Sequence, residues 1–208
     1  MASNAFSLLA NMSNARKLFR LFKTANEYHK ILALLQKGSE DDFDLYLNIV
    51  NRIFFGLYWI FDNLVVLSTI KFIQRDKAKL AKNAAWCWFL GLVTGLILYV
   101  RNLINEQKKA IALKKAAEDV AKEAQVKSEE PEKKEEIEKK KKELETKKQA
   151  HKKKKVEIWL NIAKTLGDMI TASQGAGIPK RLTGLEFGDG AIGFGGFLSA
   201  TITNYQMY

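Results

Sequence analysis

A chain of 208 residues with 47% hydrophobic side chains, 27% charged side chains and two prolines must bury its apolar surface in helices, in a bilayer, or in both. The net charge of +11 raises nucleic acid as a partner, but residues 106–155, with 18 lysines and 12 acids, interleave no aromatic side chain that could stack on bases. No nucleic-acid partner is expected. Cys87, the single cysteine, excludes an internal disulfide framework, and its place between Trp86 and Trp88 points to packing.

The first ten residues lack a basic stretch leading into an apolar run, so no secretory signal is expected, and no lipidation motif stands at either end. Residues 4–36 contain no glycine or proline and repeat apolar side chains at steps of three and four, which predicts one long amphipathic helix. At about 100° per residue, Ala15, Phe22, Ala25 and Leu32 fall on the side of Leu18, while Arg16, Arg20, Lys23 and Lys30 gather opposite. Gly38 ends this helix, and Ser39, Glu40, Asp41 and Asp42 supply the capping for the next.

Residues 43–73 predict a second helix, apolar almost all round. Asp62 near its middle would cost about 2.5–3.5 kcal/mol at a bilayer centre, which favours packing against other helices over spanning. Residues 84–100 carry no charge, with Lys77, Lys79 and Lys82 before them and Arg101 after, and with Trp86, Trp88 and Tyr99 near the ends. At about 1.5 Å per residue they reach roughly 25 Å, the short end for a hydrocarbon core, and form the leading membrane segment. Gly91 and Gly95 form a small-xxx-small notch that lets another helix approach, within the chain or in a second copy.

Residues 105–155 read as a Lys/Glu-rich charged linker with no proper core face; exposed helices stabilised by Glu-Lys pairs are possible on both sides of Pro131. Residues 156–173 resume an amphipathic helical pattern, and Gly175, Gly177 and Pro179 break it. Gly188, Gly190, Gly193, Gly195 and Gly196 then lead into a short apolar stretch. These glycines lack the strand and the Lys-Ser/Thr pair of a phosphate loop, so Gly193 and Gly196 are expected to serve helix packing in a second membrane segment over residues 191–202.

The expected fold is therefore an all-α membrane protein in four parts. Residues 1–38 form an amphipathic membrane-remodelling helix, 39–104 an apolar helical hairpin-like core, 105–155 the linker, and 156–208 a C-terminal helix with the glycine-rich membrane segment. No nucleophile with a base, carboxylate pair or metal-ligand cluster emerges, and His29 and His151 are expected at the surface. Catalytic, cofactor and metal residues are thus not expected. Residues 12–32 are the candidate lipid-binding region, through Arg16, Lys17, Leu18, Arg20, Phe22, Lys23 and Lys30. A pore or metabolite channel, prompted by Asp62 and the glycine-containing apolar segments, and a structural subunit of a larger membrane complex are the alternatives.

The run from Ala15 through Arg16, Lys17, Leu18, Phe19 and Arg20 to Leu21 resembles the signature of the peroxisomal biogenesis factor 11 (peroxin-11) family. Further likeness follows in order at Asn51 and Arg52, Leu57 and Tyr58, and the run from Phe61 to Leu64. Residues 82–98 and then Asp189, Gly190, Ala191, Ile192, Gly193, Gly196, Ser199 and Tyr205 complete it. The resemblance implies an integral peroxisomal membrane protein with cytosolic termini that promotes elongation, tubulation and division of the organelle. It implies an anionic phospholipid membrane, further copies of the chain and dynamin-type fission machinery as partners. It also places the Lys/Glu-rich linker in the lumen. The family's members carry another helical stretch before the Arg-Lys-Leu motif, whereas this chain begins almost at it.

Overall fold

The computed structural model describes residues 12, 20–38, 41–126 and 131–207. Among these every regular element is a helix, as expected: α1 (Lys23–Lys37), α2 (Asp42–Thr69), α3 (Lys77–Val126), α4 (Pro131–Ala176), α5 (Ile178–Thr183) and α6 (Asp189–Met207). They fall into two compact units, one made of Met1–Leu98 with Ala163–Tyr208 and the other of Tyr99–Ile162.

In the first unit, the uninterrupted helix expected over residues 4–36 is broken. Arg20, Leu21 and Phe22 form a turn, and Phe22 takes a left-handed backbone conformation, φ 67°, before α1 starts. For a side chain with a β-carbon this conformation costs about 1–2 kcal/mol. The turn brings Arg20 back beside α2, a tertiary contact that helical periodicity does not encode. The other end of α1 follows the sequence: Gly38 takes a positive φ of 64°, open to glycine, and donates its N–H to the Leu34 carbonyl at 3.0 Å. Asp41 then caps α2 by accepting from the Phe43 N–H at 2.9 Å, and Asp76 does the same for α3 through Ala78 at 2.9 Å.

α2 has 28 residues and spans about 42 Å. Both α2 and α3 are long and apolar enough to cross a membrane. α2 thus meets the same length and hydropathy test as the segment expected in α3, despite Asp62. Among the described residues α6 does not meet the same test, although its 19 residues outrun the stretch expected over 191–202. Its glycines, together with Ser199, Thr201, Thr203 and Asn204, keep it too polar.

The Lys/Glu-rich stretch is helical on both sides of Pro131, as its Glu-Lys pairs allowed, and makes up most of the second unit. Its helical segments belong to α3 and α4, which run well beyond the expected boundaries, and Ile137, Ile158 and Ile162 are buried. Lysine and glutamate are good helix formers, and ion pairs one turn apart add small increments along α4: Glu135 with Lys139 at 3.1 Å and Glu136 with Lys140 at 3.0 Å.

Candidate functional site

The region singled out for lipid binding is only partly within view. Arg16, Lys17 and Leu18 lie outside the described residues, whereas Arg20, Phe22, Lys23 and Lys30 lie within them. The α2-facing side of α1 carries Lys23 and Glu27 together with half-buried Ile31 and Leu34, and Arg20 in the preceding turn joins it. The Arg20 guanidinium sits 3.7 Å from the Asp62 carboxylate and 5.6 Å from the ring centre of Trp59, with the Lys23 ammonium 4.8 Å over the same ring. Glu27, only 6% exposed, accepts from Lys30 at 2.6 Å and from Arg52 at 3.3 Å. Pairings of 20 with 62 and of 27 with 52 mean that α1 runs antiparallel to α2.

This seam is polar and incompletely satisfied. Arg20 Nε, Thr24 Oγ1, Asp62 Oδ2 and Asn63 Oδ1 are buried without a hydrogen-bond partner among the described residues. Each such atom costs about 1–3 kcal/mol, more than the roughly 0.5–1 kcal/mol returned by a partly exposed cation over an aromatic ring. On the other side of α1, Phe22 is 80% exposed, and Tyr28, Leu32 and Leu35 are exposed with it. His29 is exposed as expected, its ring edge-on to Tyr28 at 6.1 Å.

The seam between α2 and α3 is of another kind. Asn51, 4% exposed, donates from Nδ2 to the Gly91 carbonyl at 2.6 Å and to Thr94 Oγ1 at 3.0 Å. A β-carbon on Gly91 would lie 3.3 Å from the Phe55 ring, and one on Gly95 would lie 3.3 Å from Asn51 Nδ2. The notch in α3 therefore admits Asn51 and Phe55 from α2, within one chain, and Tyr58 stacks on Trp88 at 5.6 Å. Interhelical hydrogen bonds of this type contribute about 0.6–2 kcal/mol in a membrane.

Gly193 and Gly196, expected to pack a helix, have open space where a β-carbon would stand. Helical rotation turns Gly195 inward in their place: a β-carbon there would meet the Gly167 carbonyl oxygen at 2.6 Å, and one on Gly167 would meet that of Gly195 at 2.7 Å. Ser199, one turn on from Gly195, lies beside Asp168.

In the second unit, sequence reasoning missed a buried ionic cluster. Glu106, 4% exposed, faces His151 Nδ1 and pairs with Lys154 at 3.0 Å and Lys109 at 3.5 Å. His151 is thus partly enclosed, not at the open surface as expected; a lone histidine among lysines carries no signal of such a partner. Burial works to raise the Glu106 carboxyl, but the hydrogen bonds and charges of Lys154 and His151 outweigh it and hold the group below its ordinary value.

Among the described residues, no three His, Cys, Asp or Glu side chains stand close enough to hold a metal. Asp62, which prompted the pore alternative, faces Arg20. Fold and site together define a helical protein with two helices fit to cross a bilayer and an amphipathic helix docked along the first of them.

Comparison with known proteins narrows this class. The family model for Peroxisomal biogenesis factor 11 (PEX11) matches residues 2–208. A Peroxisomal membrane protein 11 homolog of Dictyostelium discoideum is 32% identical over 195 residues, covering 94% of this chain and 74% of that protein. Peroxisomal membrane protein PMP27 of Saccharomyces cerevisiae is 27% identical over 116 residues, covering 54% of this chain and 49% of that protein. No solved structure matches. The chain belongs to the peroxisomal biogenesis factor 11 family, which makes it a peroxisomal membrane protein involved in peroxisome proliferation.

Proposed function

We propose that the chain elongates and tubulates the peroxisomal membrane before division by inserting the amphipathic region over residues 12–32 into the cytosolic leaflet, without catalysing a reaction. The observation that carries this reading is the outward apolar face of α1, with Phe22, Tyr28, Leu32 and Leu35 exposed together. A helix that buries such a face under the headgroups of one leaflet expands that leaflet alone and favours curvature. Basic side chains near an anionic surface add about 1 kcal/mol each. Anionic phospholipid is then the direct partner, with further copies of the chain and dynamin-type fission machinery acting on the tubule.

The test is the full chain reconstituted into phosphatidylcholine vesicles with and without phosphatidylserine, viewed by electron microscopy. Tubules that depend on the anionic lipid and vanish with Phe22→Glu support the reading; undiminished tubules with Phe22→Glu contradict it.

The integral topology we propose has α2 and α3 both crossing. Two antiparallel crossings return the chain to its starting side, so residues 106–155 lie on the cytosolic side with the N-terminal end of α2, not in the lumen as the family resemblance implied. Protease added to intact peroxisomes then cuts the lysine-rich stretch, and full protection of that stretch would refute the topology.

A further inference from the structure

We infer that the second unit binds a single-chain phosphate monoester, with the aliphatic body seated on Ile111 and its neighbours in a groove between α3 and α4 and the phosphate held by Lys152 and Lys155. This site is separate from the remodelling region over residues 12–32.

The groove lies wholly within the second unit. Its volume is about 560 Å³, within the range of small-molecule sites. Gln107, Ile111 and Lys114 fall at helical spacing on one stripe of α3, and Lys148, Lys152 and Lys155 on one stripe of α4. The apolar lining is Ala110, Ile111 and Leu113, all from α3, and Ile111 is 60% exposed. A single row of apolar side chains seats one alkyl chain, not two.

The cations on this groove lack neighbours that neutralise them. Nearby on α4, glutamates answer lysines one turn away, Glu143 with Lys147 and Glu145 with Lys148. The positions three and four residues to either side of Lys152 and Lys155 hold no acid. Both lysines, and Lys114 on the facing helix, have no ion-pair partner among the described residues. Glu106 at the edge of the groove does not answer them, because its carboxylate is taken by Lys154 at 3.0 Å, Lys109 at 3.5 Å and His151. Lys148 and Lys152 stand one turn apart, so they repel each other, and a bound anion relieves that repulsion.

A phosphate monoester suits these groups better than a carboxylate does. It carries about −1.5 to −2 charges at pH 7 and three strong acceptor oxygens, enough to engage two ammonium groups together. A carboxylate brings one charge. A nucleotide would bring a base, and none of the residues lining the groove is an aromatic that could stack on it.

The test is amide hydrogen exchange on the full chain in phosphatidylcholine nanodiscs, titrated with octyl phosphate and read in residues 106–114 and 148–155. Octyl phosphate should protect both segments, with about tenfold weaker affinity when Lys152→Gln and Lys155→Gln are combined. Lys141→Gln with Lys153→Gln, which removes the same charge from exposed positions outside the groove, should bind as the unsubstituted chain does. Equal weakening by the two pairs means general attraction to positive charge and overturns the inference, as does a lack of protection. Inorganic phosphate or octanoate acting at the same concentration as octyl phosphate overturns the ligand assignment, and so does equal protection by phosphatidate placed in the nanodisc. Should the Lys152 and Lys155 pair of substitutions lose helix content by circular dichroism, Ile111→Gln decides in its place. Weaker binding of octyl phosphate by that variant supports the groove, and unchanged binding overturns it.

Discussion

The two sides of α2 contrast. Towards α3 it presents Asn51, whose amide is satisfied by Gly91 and Thr94, a phenyl ring seated on a glycine notch, and Tyr58 stacked on Trp88. Towards α1 it presents Arg52, Trp59 and Asp62, which meet two cations, Arg20 and Lys23, and a glutamate, with Arg20 Nε and Asp62 Oδ2 left unsatisfied among the described residues. The first seam is closed by shape and hydrogen bonds that no lipid can replace. The second is closed by an ion pair and cation-ring contacts around polar atoms left unsatisfied among the described residues. The lesson is that burial alone does not describe a helix contact; what separates these two is whether the buried polar atoms are satisfied.

Perturbing each seam sharpens this contrast, beginning with the largest effect. Gly91→Leu drives a branched side chain into the Phe55 ring and should destabilise the protein by about 3 kcal/mol, seen as a lower melting temperature by circular dichroism in detergent. The buried Glu106 cluster provides an ionic contact to set against the α1 seam. Because its folded carboxyl is held below the ordinary value, its stabilisation is full above the ordinary carboxylate range and is lost as pH falls through the folded value. The amide hydrogen-exchange protection factors in residues 99–162, corrected for the intrinsic pH dependence of exchange, should therefore fall on acidification, and Glu106→Gln should lower them at neutral pH and flatten the pH response.

Asn51→Leu removes the amide that bridges to α3 and should cost about 1–2 kcal/mol, measured by the same thermal unfolding. Asp62→Asn should have the smallest effect on the fold, because the buried 3.7 Å pair has no hydrogen bond to lose and relief of the carboxylate's desolvation offsets its lost attraction to Arg20. A loss from Asp62→Asn as large as that from Gly91→Leu would erase the distinction between the two seams.

Much of the fold was legible in the residues. Gly38 and Asp41 marked the end of α1 and the start of α2, the charge-free run over 84–100 marked the apolar part of α3, and Gly91 and Gly95 marked a close approach. What stayed hidden has physical reasons. Periodicity counts faces, so it separated the apolar and cationic sides of α1, but it does not reveal which side meets protein. The kink at Phe22 is set by tertiary contact, and a bulky residue in a left-handed conformation leaves no local signature. The extent of α3 and α4 was obscured because lysine and glutamate propagate a helix without an apolar stripe. In α6, Gly193, Gly195 and Gly196 are indistinguishable by composition, and only helical rotation selects Gly195 to meet Gly167.

The central claim is that the outer face of α1 enters the membrane, and fluorescence quenching tests it directly. Single cysteines at Phe22→Cys and Leu32→Cys in the Cys87→Ser chain are labelled with an environment-sensitive dye and reconstituted into phosphatidylserine-containing vesicles. Both labels should be quenched by lipids brominated just below the headgroup and shielded from aqueous iodide. Labels that remain open to iodide and indifferent to the brominated lipid would contradict the account.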